Sequence, residues 1–137
     1  MLRISKKQAD NFLLHDEAAF IDFIAQHLRE ESPELVDELP DDSLRSLIAS
    51  GLARARMHEL RSPEDLTAFV SIMFEIAPNF DEHPAIRKVL RDPDIPVDER
   101  MDALFKKVPP KAWEEADLAY DSDAWYPELK GWNPNES

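Results

Sequence analysis

The chain has 137 residues, 43% of them hydrophobic, and carries a formal net charge of −13. That length holds one domain with a real core rather than two. No apolar run approaches the roughly 18–20 residues of a membrane span, the N-terminal MLRISKKQADNF lacks a signal-peptide core, and the absence of cysteine rules out disulfides and thiolate metal sites. A soluble cytoplasmic protein is the expectation. Its acidity repels phosphate backbones, which argues against nucleic acid, and suits either solubility or a basic protein partner. About half of the excess lies in Trp113–Ser137, where seven acids meet one lysine.

With only two glycines, Gly51 and Gly131, and no period-two alternation, helices are expected throughout. Ser5-Lys6-Lys7-Gln8 reads as a capping box opening a helix to Leu14. Asp16 restarts helical pattern through His27 or Leu28, with Phe20, Phe23, Ile24 and Leu28 on one face; the two stretches fit one helix or two. Ser32-Pro33 is a serine N-cap with proline at the first helical position, where a missing N–H costs nothing. Asp41 or Asp42 caps a longer helix that turns Leu44, Leu47, Ile48, Leu52 and Ala55 inward. Gly51 inside that helix costs about 1 kcal/mol against alanine. With Ala55 one turn on, it points to a second helix passing close by.

Ser62-Pro63-Glu64-Asp65 repeats the start signal. The helix after it, with Leu66, Phe69, Val70, Met73, Phe74 and Ala77 at spacings of three and four, is the expected centre of the fold. Pro78 ends it, and Asn79–His83 forms a turn anchored by Phe80, with Asp81 suited to cap the next helix. Pro84 starts a short helix with Ile86, Val89 and Leu90. Pro96 starts another with Val97, Met101, Leu104, Phe105 and Val108, and Pro109-Pro110 opens a segment with Trp113, Ala116, Leu118 and Tyr120. Periodicity fails after Asp121. The expected architecture is all-α: a compact single-domain bundle of about six to seven short helices over residues 1–121, with an irregular acidic aromatic tail over 122–137.

Catalytic patterns are missing. The four histidines, His15, His27, His58 and His83, fall in different segments and none forms an HExxH pair. Asp81-Glu82-His83 places three possible ligands together, but neighbours on a turn rarely converge on one ion. The carboxylate pairs, such as Asp16-Glu17 and Glu114-Glu115, are solvated neighbours rather than acids facing across a cleft. No EF-hand, phosphate-binding glycine loop or GxSxG serine is present. The basic groups, Arg54/Arg56/Arg61, Arg87/Lys88/Arg91 and Lys106/Lys107/Lys111, read as exposed ion pairs worth under about 1 kcal/mol each. No catalytic residue, cofactor or metal site is therefore expected, and the chain reads as a non-enzyme.

Partner-binding residues are sought in the tail. Trp113, Trp125, Tyr126 and Trp132 are four of the five Trp and Tyr residues of the chain. Such side chains anchor interfaces because they bury much area with few rotatable bonds. They serve equally as clips folding the tail over its own core. Deleting 122–137 then separates the two roles: clips lower thermal stability when lost, and anchors lower partner affinity.

Gly51-Leu52-Ala53-Arg54-Ala55-Arg56, Phe74-Glu75-Ile76-Ala77-Pro78-Asn79-Phe80-Asp81, and Pro96 through Met101 with Leu104 together resemble a set of small acidic helical proteins of bacteria. These are encoded in type VI secretion effector clusters, beside PAAR-tip proteins and effector adaptor chaperones. The resemblance covers about residues 43–105. It implies an accessory or co-chaperone role in loading a secreted toxin, through contact with the adaptor chaperone or the toxin. An immunity protein that masks a toxin with its acidic surface is the alternative. The family brings no catalytic residues, and the aromatic tail lies outside its pattern. Where the family has glycine, before the proline and near Glu59, this chain has Ala77 and no glycine, so both turns must close without the residue most tolerant of positive φ. Sequence leaves the oligomeric state open.

Overall fold

The computed structural model describes residues 17–126; the expected Ser5–Leu14 helix and Trp132 lie outside them. In chain order the described helices are α1 (Glu17–Glu31), α2 (Pro33–Val36), α3 (Asp41–Met57), α4 (Pro63–Glu75), α5 (Pro84–Leu90), α6 (Arg100–Lys107) and α7 (Pro110–Leu118). Short 3-10 turns cover Phe80–Glu82, Val97–Glu99 and Ser122–Trp125. The architecture is all-α, with no strand among the described residues. None of the described helices is long and apolar enough to cross a membrane.

Proline sets most of the helix starts. Pro33, Pro63, Pro84 and Pro110 each occupy the first turn of a helix, where φ near −65° is already helical and no N–H is wasted. The Ser62 hydroxyl accepts from the Asp65 N–H at 3.1 Å and caps α4. Two expected caps fall elsewhere. Pro40, not an aspartate, is the N-cap of α3, while Asp41 and Asp42 sit in its first turn and act on the helix dipole instead. Before α5 the cap is His83, whose Nδ1 accepts from the Ala85 N–H at 3.1 Å. Asp81 is turned inward to a different task. Helix α1 also runs beyond the expected His27 or Leu28, to Glu31.

Central α4 contributes Phe69, Val70 and Met73 fully buried and packs on α3, which in turn packs on α1. Gly51 makes the α3–α4 crossing close. A Cβ there would stand 3.1 Å from both Met73 Sδ and Val70 Cγ2, so the second-helix reading of Gly51 holds. Helix α6 docks on α5 and α4, and α7 lies over the Phe80–Glu82 turn. Phe80 is fully buried and anchors that turn, as expected.

The loops after α2 and α5 are closed by two arginines that donate to their backbone carbonyls. Arg29 donates to Val36 O at 3.3 Å and Leu39 O at 2.8 Å. Arg100 donates to Ile95 O at 3.0 Å and Leu90 O at 3.2 Å. The two glycine-less turns resolve differently. Glu59, just after the α3 C-cap, itself takes φ 69°, the sole positive φ outside glycine among the described residues. Ala77 needs none, because α4 has already ended and Pro78 continues the chain without an N–H to satisfy.

Candidate protein-binding groove

Two places combine charge with aromatic surface. The first is inside. Arg54, in the last turn of α3, and His58, its C-cap, are four residues apart and share a face; Asp81 reaches that face from the Phe80–Glu82 turn and is only 5% exposed. Arg54 Nε donates to both Asp81 carboxylate oxygens at 3.1 and 2.9 Å, and its Nη2 donates to Oδ1 at 2.8 Å. His58 Nε2 lies 2.8 Å from Asp81 Oδ2. An ionised carboxylate only accepts, so this nitrogen carries the proton. Glu82 adds a bond to Arg54 at 3.0 Å from the exposed rim. Burial works to raise the Asp81 carboxyl, but hydrogen bonds from His58 and Arg54 and the guanidinium charge prevail and hold it below its ordinary value. Burial likewise opposes the charge on Arg54, and Asp81 with Glu82 overcomes it and raises its pKa.

The expectation of an exposed, weakly paired Arg54 is thus corrected: its side chain is 10% exposed and bidentate to a buried acid. An aspartate–histidine pair is two of the three members of a hydrolytic triad, yet no hydroxyl among the described residues hydrogen-bonds to the His58 ring, whose Nδ1 has no partner among them. Its ring instead packs on Phe69 at 5.5 Å, and Phe69 on Phe80 at 4.8 Å. The arrangement ties α3 to the turn. His83 goes elsewhere, to Glu115 at 2.9 Å, so Asp81 and His83 diverge. No group of three possible metal ligands occurs among the described residues.

The second place is at the C-terminal segment. Of the four aromatic residues singled out by sequence, Trp113 is half-buried, stacked between Phe80 at 6.2 Å and Phe105 at 6.3 Å. Trp125 is 6% exposed and packs on Phe74 at 4.7 Å; its Nε1 donates to the Tyr120 hydroxyl at 3.3 Å. Tyr126 is 46% exposed. The structure brings Trp125 and Tyr126 to one groove and leaves Trp113 outside it. Side chains distant in sequence staple the segment in place. Asn79 donates to Ala119 O and accepts from the Asp121 N–H, both at 3.0 Å, and Ser50 donates to Trp125 O at 2.8 Å. Sequence reasoning missed Asn79 and Ser50, since a polar residue bonded 40 or 75 positions away leaves no local pattern.

The groove encloses about 540 Å³. Its floor is apolar, built from Leu35, Leu39, Leu47, Phe74 and Trp125. The α2 flank supplies the exposed carboxylates Glu34, Asp37 and Glu38. The C-terminal flank supplies Tyr120 and Tyr126, both about half exposed. No lysine or arginine is among the described lining residues. Beside Phe74, the Glu75 carboxyl is raised from its ordinary 4.5, first by burial, with the Glu34 charge adding to it. An apolar floor under acids that meet no cation among the described lining residues, with two tyrosine rings beside them, can take up an apolar side chain accompanied by positive charge.

Comparison of the chain with family models, curated proteins and solved structures finds no match.

Proposed function

We propose that this chain is a non-enzymatic accessory protein that binds another protein through the groove between α2 and the C-terminal segment. The groove carries the reading: an open apolar floor rimmed by acids, beside a buried ionic cluster without a nucleophile. Joined to the resemblance over residues 43–105, it favours a co-chaperone or adaptor partner for a type VI secretion effector, acting in the cytoplasm on the effector adaptor chaperone, the toxin or both. The net charge of −13 disfavours nucleic acid as the ligand.

The test uses the purified adaptor and toxin encoded beside this chain, titrated calorimetrically against the wild type and Tyr126→Ala. Micromolar or tighter binding that weakens at least tenfold in the variant supports the reading. Binding to neither protein, or binding indifferent to the groove, overturns it. The acidic rim also favours a second reading, an immunity protein masking a basic toxin surface. Co-expression decides between them: rescue of recipient cells from the toxin supports immunity, and lost secretion without lost protection supports the accessory role.

A further inference from the structure

Resting on the protein-binding reading of the groove, we infer that the segment it receives presents an arginine next to an apolar side chain. Three features converge on that chemistry. The floor of Leu35, Leu39, Leu47, Phe74 and Trp125 offers only apolar contact, so the anchoring side chain is aliphatic or aromatic. Above it, Glu34, Asp37 and Glu38 are exposed and make no ion pair among the described residues. An anionic occupant would meet three like charges, whereas a cation pairs with them. The other flank adds the faces of Tyr120 and Tyr126, which attract a cation lying within about 6 Å of the ring.

Carboxylates on one flank and phenol faces on the other distinguish arginine from lysine. A guanidinium is planar, donates two parallel hydrogen bonds to a carboxylate and stacks on an aromatic ring, and it is more weakly hydrated than an ammonium. Lysine satisfies the charge but not the plane. Glutamine keeps hydrogen-bonding capacity without charge, and glutamate reverses the charge.

The probe is a set of four fluorescein-labelled decapeptides that share a leucine–X–leucine centre between Gly-Ser flanks, with X as Arg, Lys, Gln or Glu. They are titrated by anisotropy against the full chain. The arginine peptide is expected to bind at least tenfold tighter than the glutamine peptide, with lysine between them and glutamate weakest, and the arginine preference shrinks in 0.5 M salt, where the Debye length is about 4 Å. The triple substitution Glu34→Gln, Asp37→Asn, Glu38→Gln changes only exposed side chains. It is expected to weaken the arginine peptide tenfold and leave the glutamine peptide unchanged. Tyr126→Ala weakens the arginine peptide and Tyr126→Phe restores it.

Equal affinity for the arginine and glutamine peptides overturns the inference. So does indifference to the triple substitution, or no binding at millimolar peptide. The two readings fail separately. Adaptor or toxin binding that depends on Tyr126 without any arginine preference removes the ligand chemistry alone. Arginine preference with adaptor and toxin binding untouched by groove variants removes the functional reading alone.

Discussion

The Arg54–Asp81–His58 cluster and the C-terminal groove are built from the same materials, carboxylates beside aromatic rings, and differ in whether the charges are answered. Inside, one acid faces a bidentate guanidinium and an imidazole N–H, with Phe69 and Phe80 packed alongside. Among the described residues, His58 Nδ1 is the one buried side-chain polar atom of this cluster without a partner, so the cluster is a fastener. At the groove, three acids and two tyrosine faces meet no cation among the described lining residues. The difference teaches where to look for a partner: a surface that leaves its own electrostatics unanswered, over an apolar floor, is open to something else.

The largest effect is expected at the fastener. Asp81→Ala leaves a guanidinium buried without its partner and should cost about 3–5 kcal/mol, measured by urea unfolding; a loss below about 1 kcal/mol would remove its structural role. Because the folded-state carboxyl sits below its ordinary 3.8, the stabilisation is complete above that value and is lost as pH falls through the folded value. The acid limb of the wild-type stability curve should therefore be steeper than that of Asp81→Asn.

Trp125 and Tyr126 come next, as neighbours with opposite expectations. Trp125→Ala opens a cavity against Phe74 and should lower stability by about 2–4 kcal/mol. Tyr126→Ala, at a half-exposed side chain, should stay within about 0.5 kcal/mol while reducing partner binding. Equal melting temperatures for the two variants would erase the distinction between clip and anchor.

Gly51→Ala gains about 1 kcal/mol of helix propensity but pushes a methyl to 3.1 Å from Val70 Cγ2. Val70 is fully buried and stiff about χ1, so overpacking outweighs propensity and a net loss of about 1–2 kcal/mol is expected in chemical denaturation. Glu59→Gly releases a left-handed residue that costs about 1–2 kcal/mol at the price of a more flexible unfolded chain, for a net gain of about 0.5–1 kcal/mol in the same measurement.

The smallest effect belongs to Asp65, a partly buried carboxyl whose interactions solvent screens, raised from 3.8 to about 6 by burial, against the Ser62 hydrogen bond, with Glu64, Asp102 and Asp98 adding like charge. The folded state holds this proton more tightly than the unfolded chain, so stability falls as pH rises from about 3.8 to 6. Asp65→Asn should raise the melting temperature slightly at pH 7 and leave it unchanged below about pH 4.

Much of the fold was legible because it is local. Ser62-Pro63, Pro84 and Pro110 announce helix starts through their own backbone chemistry, and the Leu66–Met73 spacing marks a buried face without knowledge of what covers it. Gly51 with Ala55 told of a close crossing for the same reason. The candidate site was legible only in part. Clustering of Trp and Tyr near the C-terminus drew attention to Trp125 and Tyr126, but nothing in the order of residues separated the buried ring from the exposed one. Glu34, Asp37 and Glu38 carry no local pattern that marks them as a site, and only the fold sets them beside the aromatic floor. Arg54 was misread as a surface charge because its partner lies 27 residues on, across a helix and a turn.

The sequence by itself therefore determined the all-α class, most helix starts and the central position of α4, since these follow from backbone capping and side-chain period over a few residues. Only the tertiary structure decided the pairing of Arg54 with Asp81, the stapling of the C-terminal segment by Asn79 and Ser50, and the joining of α2 acids to C-terminal tyrosines in one groove. Those depend on helix packing that brings distant residues within about 3 Å, the range over which hydrogen bonds act.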